Sequence, residues 1–495
     1  FSDYSRQLGD HYFKVMGGFN AEHQNVRTLS AQRDGIIVPD LPTIDTSTEQ
    51  DVAGGGYNHW ATAGFFGRLN YNYKEKYLLE VNGRYDGTSR FMKDQRWNFF
   101  PSFSLGWNVA RENFWKPLES VVNQFKLRGS WGELGNQNTS NLYPFYEILP
   151  VKSNSGNWLV NGGKTNTADI PSLVSTLLTW ERVRSFNVGF DFGAFSNRLT
   201  GSFDYFVRKA VDMVGPAPQL PLVLGIAPAI VNNADMKSYG FDIELSLRDR
   251  LGEVDYGVKF NLADAQQKVV KYPNTTNAFS DWYAGKMSGE IWGYTSLGIA
   301  KTDEEMKEHL ASLPNGGQNQ LGNKWGAGDI MYADINGDGK IDGGKGTLAD
   351  PGDQRIIGNS TPRYNFGLVL DASYKGFDVS IFFQGVGKRD YAPIVGTNGA
   401  VFWGAVNNIW QSMAMEEHFD YFRPEGHPMG ANLNGYYPRP DFTSNKNHQV
   451  QTRYLQDASY IRLKNLQIGY TLPKQWINKL HINRCRVYVS GDNLW

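Results

Sequence analysis

Cysteine, net charge and long apolar runs are all scarce in this sequence, and each absence excludes a class of protein. The one cysteine among 495 residues, Cys485, excludes a framework of disulfides. Lysine and arginine number 49 against 50 aspartates and glutamates, which leaves no basic field that would bind nucleic acid. No stretch approaches the roughly 18 to 20 apolar residues of a membrane-spanning helix. A disulfide-rich domain, a nucleic-acid-binding protein and a helical membrane protein are therefore not expected.

The motifs of common enzyme classes are missing as well. The 8 histidines are scattered and form no H-E-x-x-H pattern, and Glu416-Glu417-His418 lacks a second histidine four residues away. No G-x-S-x-G nucleophile elbow is present. No glycine loop stands between a strand and a helix, where it would bind phosphate. We therefore predict that the chain is not an enzyme.

Aromatic residues and glycine, by contrast, are abundant. Tyrosine, phenylalanine and tryptophan number 26, 29 and 14, and glycine numbers 54, in a chain whose mean hydropathy is -0.47. Short segments with alternating apolar and polar residues fill most of the sequence. This combination is typical of a transmembrane β-barrel, in which only every other residue of a strand faces lipid.

The clearest alternation flanks the short turn Lys74-Glu75-Lys76, which predicts a hairpin. Residues 61–73 and 77–86 each place apolar side chains on one face and polar side chains on the other. Charges at this density would be too costly inside a dry core, whereas they suit a water-filled lumen. The charged residues expected to face the lumen are Arg68, Glu80, Arg84, Asp242 and Glu244.

The whole pattern predicts an all-β protein, a transmembrane antiparallel β-barrel with short periplasmic turns and long extracellular loops. It contains about 14 strands of about ten residues each, joined alternately by short turns and by loops of about 25 to 50 residues. One long loop is expected from about Asn20 to about Gly56. The chain begins at Phe1 without a signal peptide, so we expect a fragment of a larger, plugged barrel, for which 22 strands is the natural size.

The longest break in the strand pattern, residues 291–358, is predicted to be a loop insertion. Residues Thr302–Leu310 predict a short helix with Thr302 as its N-cap and Glu305 in the capping-box position. A second large loop is expected at about residues 388–451, and a further helix is predicted there at residues 408–418.

A metal-binding pattern lies inside the insertion. Oxygen-bearing side chains recur at every second position, as in the calcium loop of an EF-hand, and Gly339 stands where that loop turns sharply. Such oxygen ligands suit a hard cation, so the sequence predicts a structural Ca²⁺ site. The predicted ligands are Asp334, Asn336, Asp338, the backbone carbonyl of Lys340, and Asp342.

The pattern departs from the EF-hand at position 12, where Lys345 replaces the bidentate glutamate. A further ligand would have to come from Asp350 or Asp353. Ile341 is expected to hold the segment in a small apolar contact. The alternative interpretation is a turn rich in aspartate and asparagine that binds no metal.

Five segments spread along nearly the whole chain give it a family resemblance. Together they resemble the C-terminal barrel half of SusC/RagA-type TonB-dependent outer-membrane transporters, although any one of them alone would be a generic barrel strand. The segments are residues 67–91 (GRLNYNYKEKYLLEVNGRYDGTSRF), 97–114 (WNFFPSFSLGWNVARENF), 125–137 (FKLRGSWGELGNQ), 332–385 (from YADINGDGKID to FFQG) and 458–495 (from ASYIRLKNLQIGYTLP to VYVSGDNLW).

The resemblance implies an organisation for the complete protein. Residues 1–495 would be a partial barrel domain, with the plug, the first strands and the last strand or strands missing. A SusD-like surface lipoprotein would cap the extracellular mouth, and the TonB–ExbB–ExbD system would supply energy. Transporter–lipoprotein pairs could form a dimer. The cargo of this family is usually an oligosaccharide and in some members a peptide.

We therefore expect an active importer of oligosaccharides in the outer membrane, embedded in its lipid. A peptide importer of the same family, or a non-transporting barrel such as an adhesin or a secretion-associated protein, remains an alternative. An extracellular all-β glycan-binding or hydrolytic protein is a third class. The loop aromatics, which could stack on sugars but more often pack loops or meet a partner, are Trp158, Trp282, Tyr283, Trp292, Trp403 and Trp410.

Overall fold

A computed structural model describes residues 1–139, 141–216, 221, 223, 225–226, 228–393, 416–440, 446–477 and 482–494. Within them, fourteen strands follow one another through one sheet in the order of the sequence. The strands are β1 Ser2–Leu8, β2 His11–Ile36, β3 Ser47–Tyr73, β4 Tyr77–Thr88, β5 Trp97–Asn108, β6 Val122–Asn136, β7 Glu181–Ala194, β8 Leu199–Gly215, β9 Val231–Leu251, β10 Val254–Lys271, β11 Arg363–Tyr374, β12 Phe377–Lys388, β13 Tyr460–Thr471 and β14 Arg486–Asp492.

The predicted hairpin at Lys74-Glu75-Lys76 is confirmed. Strands β3 and β4 pair antiparallel, with Tyr73 opposite Tyr77. Lys74 and Glu75 adopt positive φ angles of 50° and 52°, as the tightest hairpin turns require. The amide of Lys76 donates to the carbonyl oxygen of Tyr73 at 2.9 Å, which closes the turn.

The alternation of the sequence becomes two chemically different faces of the sheet. On β4, Tyr77, Val81 and Tyr85 are 46%, 42% and 47% exposed and share one face. Arg84 and Asp86 lie on the opposite face, because successive strand residues point to opposite sides. We call these the apolar face and the polar face. A large apolar surface of this kind is expected where a strand meets lipid.

The loop predicted from Asn20 to Gly56 is wrong in its extent. Strand β2 continues to Ile36 and β3 begins at Ser47, and the two strands pair throughout. Strand β4 pairs with β3 only as far as Thr62. Residues 21–61 therefore form a two-stranded extension with a short connection, which we call the ribbon. Backbone hydrogen bonds hold the two strands of the ribbon together, although their sequence lacks the apolar alternation from which the other strands were predicted.

Helices are few in the described part of the chain. Helix α1, Asp303–Ala311, matches the prediction, and the hydroxyl of Thr302 accepts a hydrogen bond from the amide of Glu305 at 3.1 Å. Of the helix predicted at residues 408–418, residues 408–415 lie outside the described residues, and Glu416–Phe419 forms a 3-10 turn. Helix α2 is Lys474–Ile477. No helix among the described residues is long and apolar enough to cross a membrane.

The chain divides into two compact units, residues 1–190 with 206–236, and residues 191–205 with 237–495. The second unit contains the insertion between β10 and β11 and the long connection between β12 and β13. We call the described residues of 272–362 and 389–459 the loop module. Short strands at Glu290–Gly293, Ser296–Ile299, Ile330–Tyr332, Arg355–Asn359, Asp390–Tyr391 and Gln456–Asp457 run through it. The first unit also contains short strands at Val151–Lys152, Leu159–Val160, Gly163–Lys164 and Thr167–Ala168.

Candidate functional site

The loop module has a hydrophobic core of its own. Tyr332 and Tyr454 are fully buried in it, and the rings of Tyr294 and Tyr332 meet edge to face, with centroids 5.6 Å apart. Ile341 is also fully buried, so the predicted apolar contact of the metal-binding pattern is present. The buried members of this core are Tyr294, Leu313, Ile330, Tyr332, Ile341, Tyr437 and Tyr454.

A buried carboxylate lies beside this core. Asp329 is 0% exposed, and its two oxygens accept hydrogen bonds from Arg439 at 2.8 and 2.6 Å. Lys446, which is 1% exposed, donates to the same carboxylate at 2.8 Å, and the side-chain amide of Asn447 donates at 2.9 Å. A buried charge with this many donors is fully satisfied, and removal of one partner would leave the others uncompensated.

Hydrogen bonds from residues 446–451 connect the two parts of the loop module, residues 272–362 and residues 389–459. The hydroxyl of Tyr332 donates to the carbonyl oxygen of Lys446 at 2.7 Å and accepts from Gln451 at 3.2 Å. Asn447 accepts a hydrogen bond from the amide of Ile330 at 2.9 Å. Burial raises the pKa of Tyr332 well above its ordinary value, so the hydroxyl keeps its proton and remains a donor.

The metal-binding pattern folds into a tight loop. The carboxylate of Asp334 accepts hydrogen bonds from the amides of Gly337 and Gly339 at 2.6 and 2.8 Å. Both glycines have positive φ angles, 74° and 76°, a conformation that residues with a side chain rarely adopt. Gly339 therefore makes the sharp turn that the sequence predicts.

Asp353 folds back onto this loop. Its carboxylate is 0% exposed and accepts hydrogen bonds from the amides of Ile335 and Asp342 at 2.8 and 2.9 Å. Burial raises the pKa of Asp353, although hydrogen bonds from backbone amides oppose the change, and the charge of Asp334 raises the pKa further. Of the two residues considered for the missing ligand, Asp353 is thus packed against the predicted set.

Lys340 contributes more than the backbone carbonyl considered from the sequence. Its ammonium lies 2.5 Å from an oxygen of Asp342 and 3.7 Å from an oxygen of Asp338. This contact lowers the pKa of Asp342. No group of three or more histidine, cysteine, aspartate or glutamate side chains in the described ranges is arranged to hold a metal ion. All side-chain donors of the predicted set are oxygens, which is the chemistry that Ca²⁺ takes.

The five charged residues expected to face the lumen lie on three strands, β3, β4 and β9. Asp242 and Glu244 are exposed, and the other three make hydrogen bonds to their neighbours on the sheet. These bonds join Arg68 to Asn82 at 2.6 Å, Glu80 to Asn70 at 2.6 Å, and Arg84 to Asp86 at 3.0 Å.

The described loop aromatics differ in their surroundings. Trp158 and Trp282 are exposed, whereas Tyr283 is buried and Trp292 stacks on Phe279 with ring centroids 4.6 Å apart. Trp403 and Trp410 lie outside the described residues.

Sequence reasoning missed the buried network around Asp329. Its members Asp329 and Lys446 are separated by 117 positions in the sequence, and Lys446-Asn447-His448 resembles an ordinary polar loop. No periodic pattern links two such segments, because hydrogen bonds between side chains in irregular structure follow no repeat.

Comparison with known proteins identifies the family. Residues 2–494 match the family described as "TonB dependent receptor-like, beta-barrel". TonB-dependent receptor P3 of Formosa agariphila is 28% identical over 99% of this chain and 47% of its own length. TonB-dependent receptor SusC of Bacteroides thetaiotaomicron is 24% identical over 99% of this chain and 45% of its own length. The chain thus spans about half the length of the curated relatives it matches.

A solved structure shares the fold. The RagAB peptide transporter superimposes with a TM-score of 0.75 at 21% identity, covering 100% of this chain and 51% of that one. Together with the family match, this confirms the predicted all-β barrel class and the location in the outer membrane. The family is one of receptors, not of enzymes, as the missing catalytic motifs predict. The chain belongs to the β-barrel family of TonB-dependent receptors, and its resemblance to the SusC/RagA type is confirmed.

Proposed function

We propose that this chain forms the barrel part of an outer-membrane importer of oligosaccharides. The TonB–ExbB–ExbD system would supply energy, and a SusD-like lipoprotein would cover the extracellular mouth. Family membership supports the barrel, and the loop module supports the partner. A loop region with its own core and a satisfied buried carboxylate, Asp329, is pre-organised, which lowers the entropic cost of docking a protein.

The proposed cargo is an oligosaccharide because SusC/RagA-type transporters more commonly import glycans. A peptide is the alternative, since one protein with the same fold is a peptide transporter. That likeness is one of fold alone and does not decide between the two cargoes.

Deletion of the complete transporter gene tests the cargo. The deletion strain should lose growth on neutral oligosaccharides but still grow on the corresponding monosaccharides, which need no dedicated importer of this size. Loss of growth on peptides alone would instead support the peptide alternative. Unchanged growth on both would support a non-transporting barrel, such as an adhesin.

The partner is tested by co-purification of the lipoprotein with the full-length transporter. Asp329→Ala should weaken its recovery, because the variant loosens the loop module. The matched control is Asp51→Ala in the ribbon, which removes an exposed aspartate from an ion pair with Arg33 and should leave recovery unchanged. Equal recovery with wild type and Asp329→Ala would show that the loop module does not carry the docking surface.

We further propose that residues 334–342 and Asp353 bind a structural Ca²⁺ ion. The ligands would be Asp334, Asn336, Asp338, the carbonyl of Lys340, Asp342 and the carboxylate of Asp353. Support comes from their all-oxygen chemistry, from the glycine turn at Gly339 and from the folding back of Asp353. The ion would stiffen the loop at the surface of the module. It would also displace the ammonium of Lys340 from the carboxylates of Asp338 and Asp342.

Elemental analysis of the purified full-length complex tests the metal. Asp334→Ala should lower bound calcium by one ion per transporter relative to wild type, with Asp51→Ala as the control. Chelation should also accelerate amide hydrogen exchange in residues 334–353. Equal calcium content in wild type and Asp334→Ala would support the turn without a metal.

A further inference from the structure

A polar cavity of about 330 Å³ opens on the polar face of the first unit. Strands β2, β3 and β4 form one side, and the end of β6 with the residues that follow it forms the other. Its volume falls at the lower end of the roughly 300 to 1,000 Å³ that is usual for small-molecule sites. The lining residues that matter below are Arg84, Asp86, Asn136, Gln137 and Trp180.

The charges of the cavity cancel each other. Arg84 donates two hydrogen bonds, each of 3.0 Å, to the two oxygens of Asp86. Gly64, opposite on β3, leaves space for that carboxylate, since a Cβ there would lie 2.0 Å from an oxygen of Asp86. The side chains of Arg84 and Asp86 are still 44% and 22% exposed. The pair therefore offers both donors and acceptors to a ligand but selects for no net charge.

A buried acceptor on the lining has no partner in the part of the chain that the structure describes. The neighbouring Asn136 is fixed on both sides, since it donates to Glu181 at 2.7 Å and accepts from the amide of Asn138 at 3.0 Å. The side-chain oxygen of Gln137 is buried and has no hydrogen-bond partner among the described residues. Buried polar atoms are nearly always hydrogen-bonded, so this oxygen calls for a donor from outside the described residues.

An aromatic wall stands beside these polar groups. Trp180 is 5% exposed and donates from its indole nitrogen to the carbonyl oxygen of Arg96 at 2.8 Å. Its ring meets those of Phe91 and Phe100 edge to face, with centroids 5.8 and 5.4 Å apart. Gly135 lets the backbone pack closely against Trp180, because a Cβ at this position would lie 2.7 Å from the indole. The wall is therefore rigid.

We propose that this cavity is a subsite for one uncharged sugar unit of the cargo. A sugar hydroxyl donates to the side-chain oxygen of Gln137, and other hydroxyls exchange hydrogen bonds with Arg84 and Asp86. The less polar edge of the sugar ring lies toward Trp180. The absence of net charge and the small volume favour a neutral ring over a peptide with charged ends. This proposal deepens the import of oligosaccharides and rests on it.

Calorimetry on the full-length transporter with its lipoprotein tests the subsite. The probes are maltohexaose, cellohexaose, xylohexaose and laminarihexaose. Gln137→Leu keeps the size of the side chain but removes the acceptor, and should weaken the tightest-bound probe on the order of ten-fold. The control Gln467→Leu, on β13 and outside this cavity, should leave the affinity unchanged.

A structure of the same complex with the bound hexasaccharide gives an answer that does not depend on how the variants fold. A sugar hydroxyl within hydrogen-bond distance of the Gln137 side-chain oxygen supports the subsite. Wild-type affinity in Gln137→Leu, or a bound sugar elsewhere, overturns the subsite and leaves glycan import standing. Failure of wild type to bind any of the four sugars, together with binding of tetrapeptides, overturns both.

Discussion

The ribbon and the loop module both extend beyond the strands of the sheet, but they differ in what stabilises them. Almost every described residue of the ribbon is exposed, and the pairing of its two strands is what holds it. The loop module buries Asp329, Tyr332 and Tyr454 completely. A two-stranded hairpin is marginally stable alone in water, whereas a packed core with satisfied polar groups is stable. The ribbon therefore depends on its surroundings for stability, whereas the loop module is stabilised by its own core.

The largest difference between the two regions should appear when an aspartate that pairs with a cation is removed. Asp329→Ala removes the buried carboxylate that faces the charge of Lys446, and should lower the local stability of the module by about 3 to 5 kcal/mol. Asp51→Ala removes an aspartate that is 80% exposed from an ion pair in the ribbon, and should have little effect because ion pairs at the surface contribute little. Amide hydrogen exchange of residues 318–332 and 21–61 measures both. Equal effects would contradict the comparison.

A single hydroxyl gives a finer comparison. Tyr332→Phe removes the group that bonds Lys446 and Gln451, and should cost about 1 to 3 kcal/mol because a buried partner loses its hydrogen bond. Tyr57→Phe in the ribbon removes a hydrogen bond to Asn25 from a ring that is 55% exposed, where water replaces it. Limited proteolysis of the two regions should respond only to Tyr332→Phe.

Glycine is required by the backbone conformation in the loop module but not in the ribbon. Gly339→Ala forces a side chain into a positive φ of 76°, and should destabilise the module by about 1 to 2 kcal/mol. Gly54→Ala in the ribbon has ordinary strand geometry, and the added Cβ would meet only the hydroxyl of Ser30, at 3.1 Å. Hydrogen exchange should be faster around residues 334–342 and unchanged in the ribbon. Faster exchange in both regions would show that the positive φ of Gly339 does not explain the effect of its substitution.

The smallest expected effect is at the start of α1. Thr302→Ala removes the hydroxyl that accepts from the amide of Glu305, and should cost about 1 kcal/mol. The control Thr48→Ala removes an exposed hydroxyl that makes a long 3.4 Å hydrogen bond to Gly35. Exchange of the first amides of α1 reports the loss, and Thr302→Ser should restore it. Failure of the serine variant to restore protection would exclude the cap as the cause.

The strands could be predicted because lipid on one side and polar groups on the other impose a period of two. Residues 77–86 were expected to form one strand of a hairpin, and the structure has a strand at Tyr77–Thr88. The ribbon escaped prediction because both of its faces are largely exposed, so neither face needs apolar residues. Its Gly54-Gly55-Gly56 run resembles a loop, although backbone pairing continues through it opposite residues 28–30.

The candidate sites divide in the same way. The metal-binding pattern is local, and its turn at Gly339 and the burial of Ile341 could be predicted from spacing alone. The contact of Asp353 was one of two choices, because a distance of some twenty residues leaves the path of the chain open. The pairing of Asp329 with Lys446 could not be predicted, since the residues between them include two whole strands, β11 and β12.

That long separation has a consequence for the order of assembly. The carboxylate of Asp329 and the ammonium of Lys446 are joined across 117 positions, so the module cannot complete its core until the β11–β12 hairpin between them has been laid down. Contacts between distant parts of a chain form slowly, because the entropy of loop closure opposes them. We therefore expect the loop module to fold after the neighbouring strands, so that the docking surface proposed for it would form only once those strands are in place.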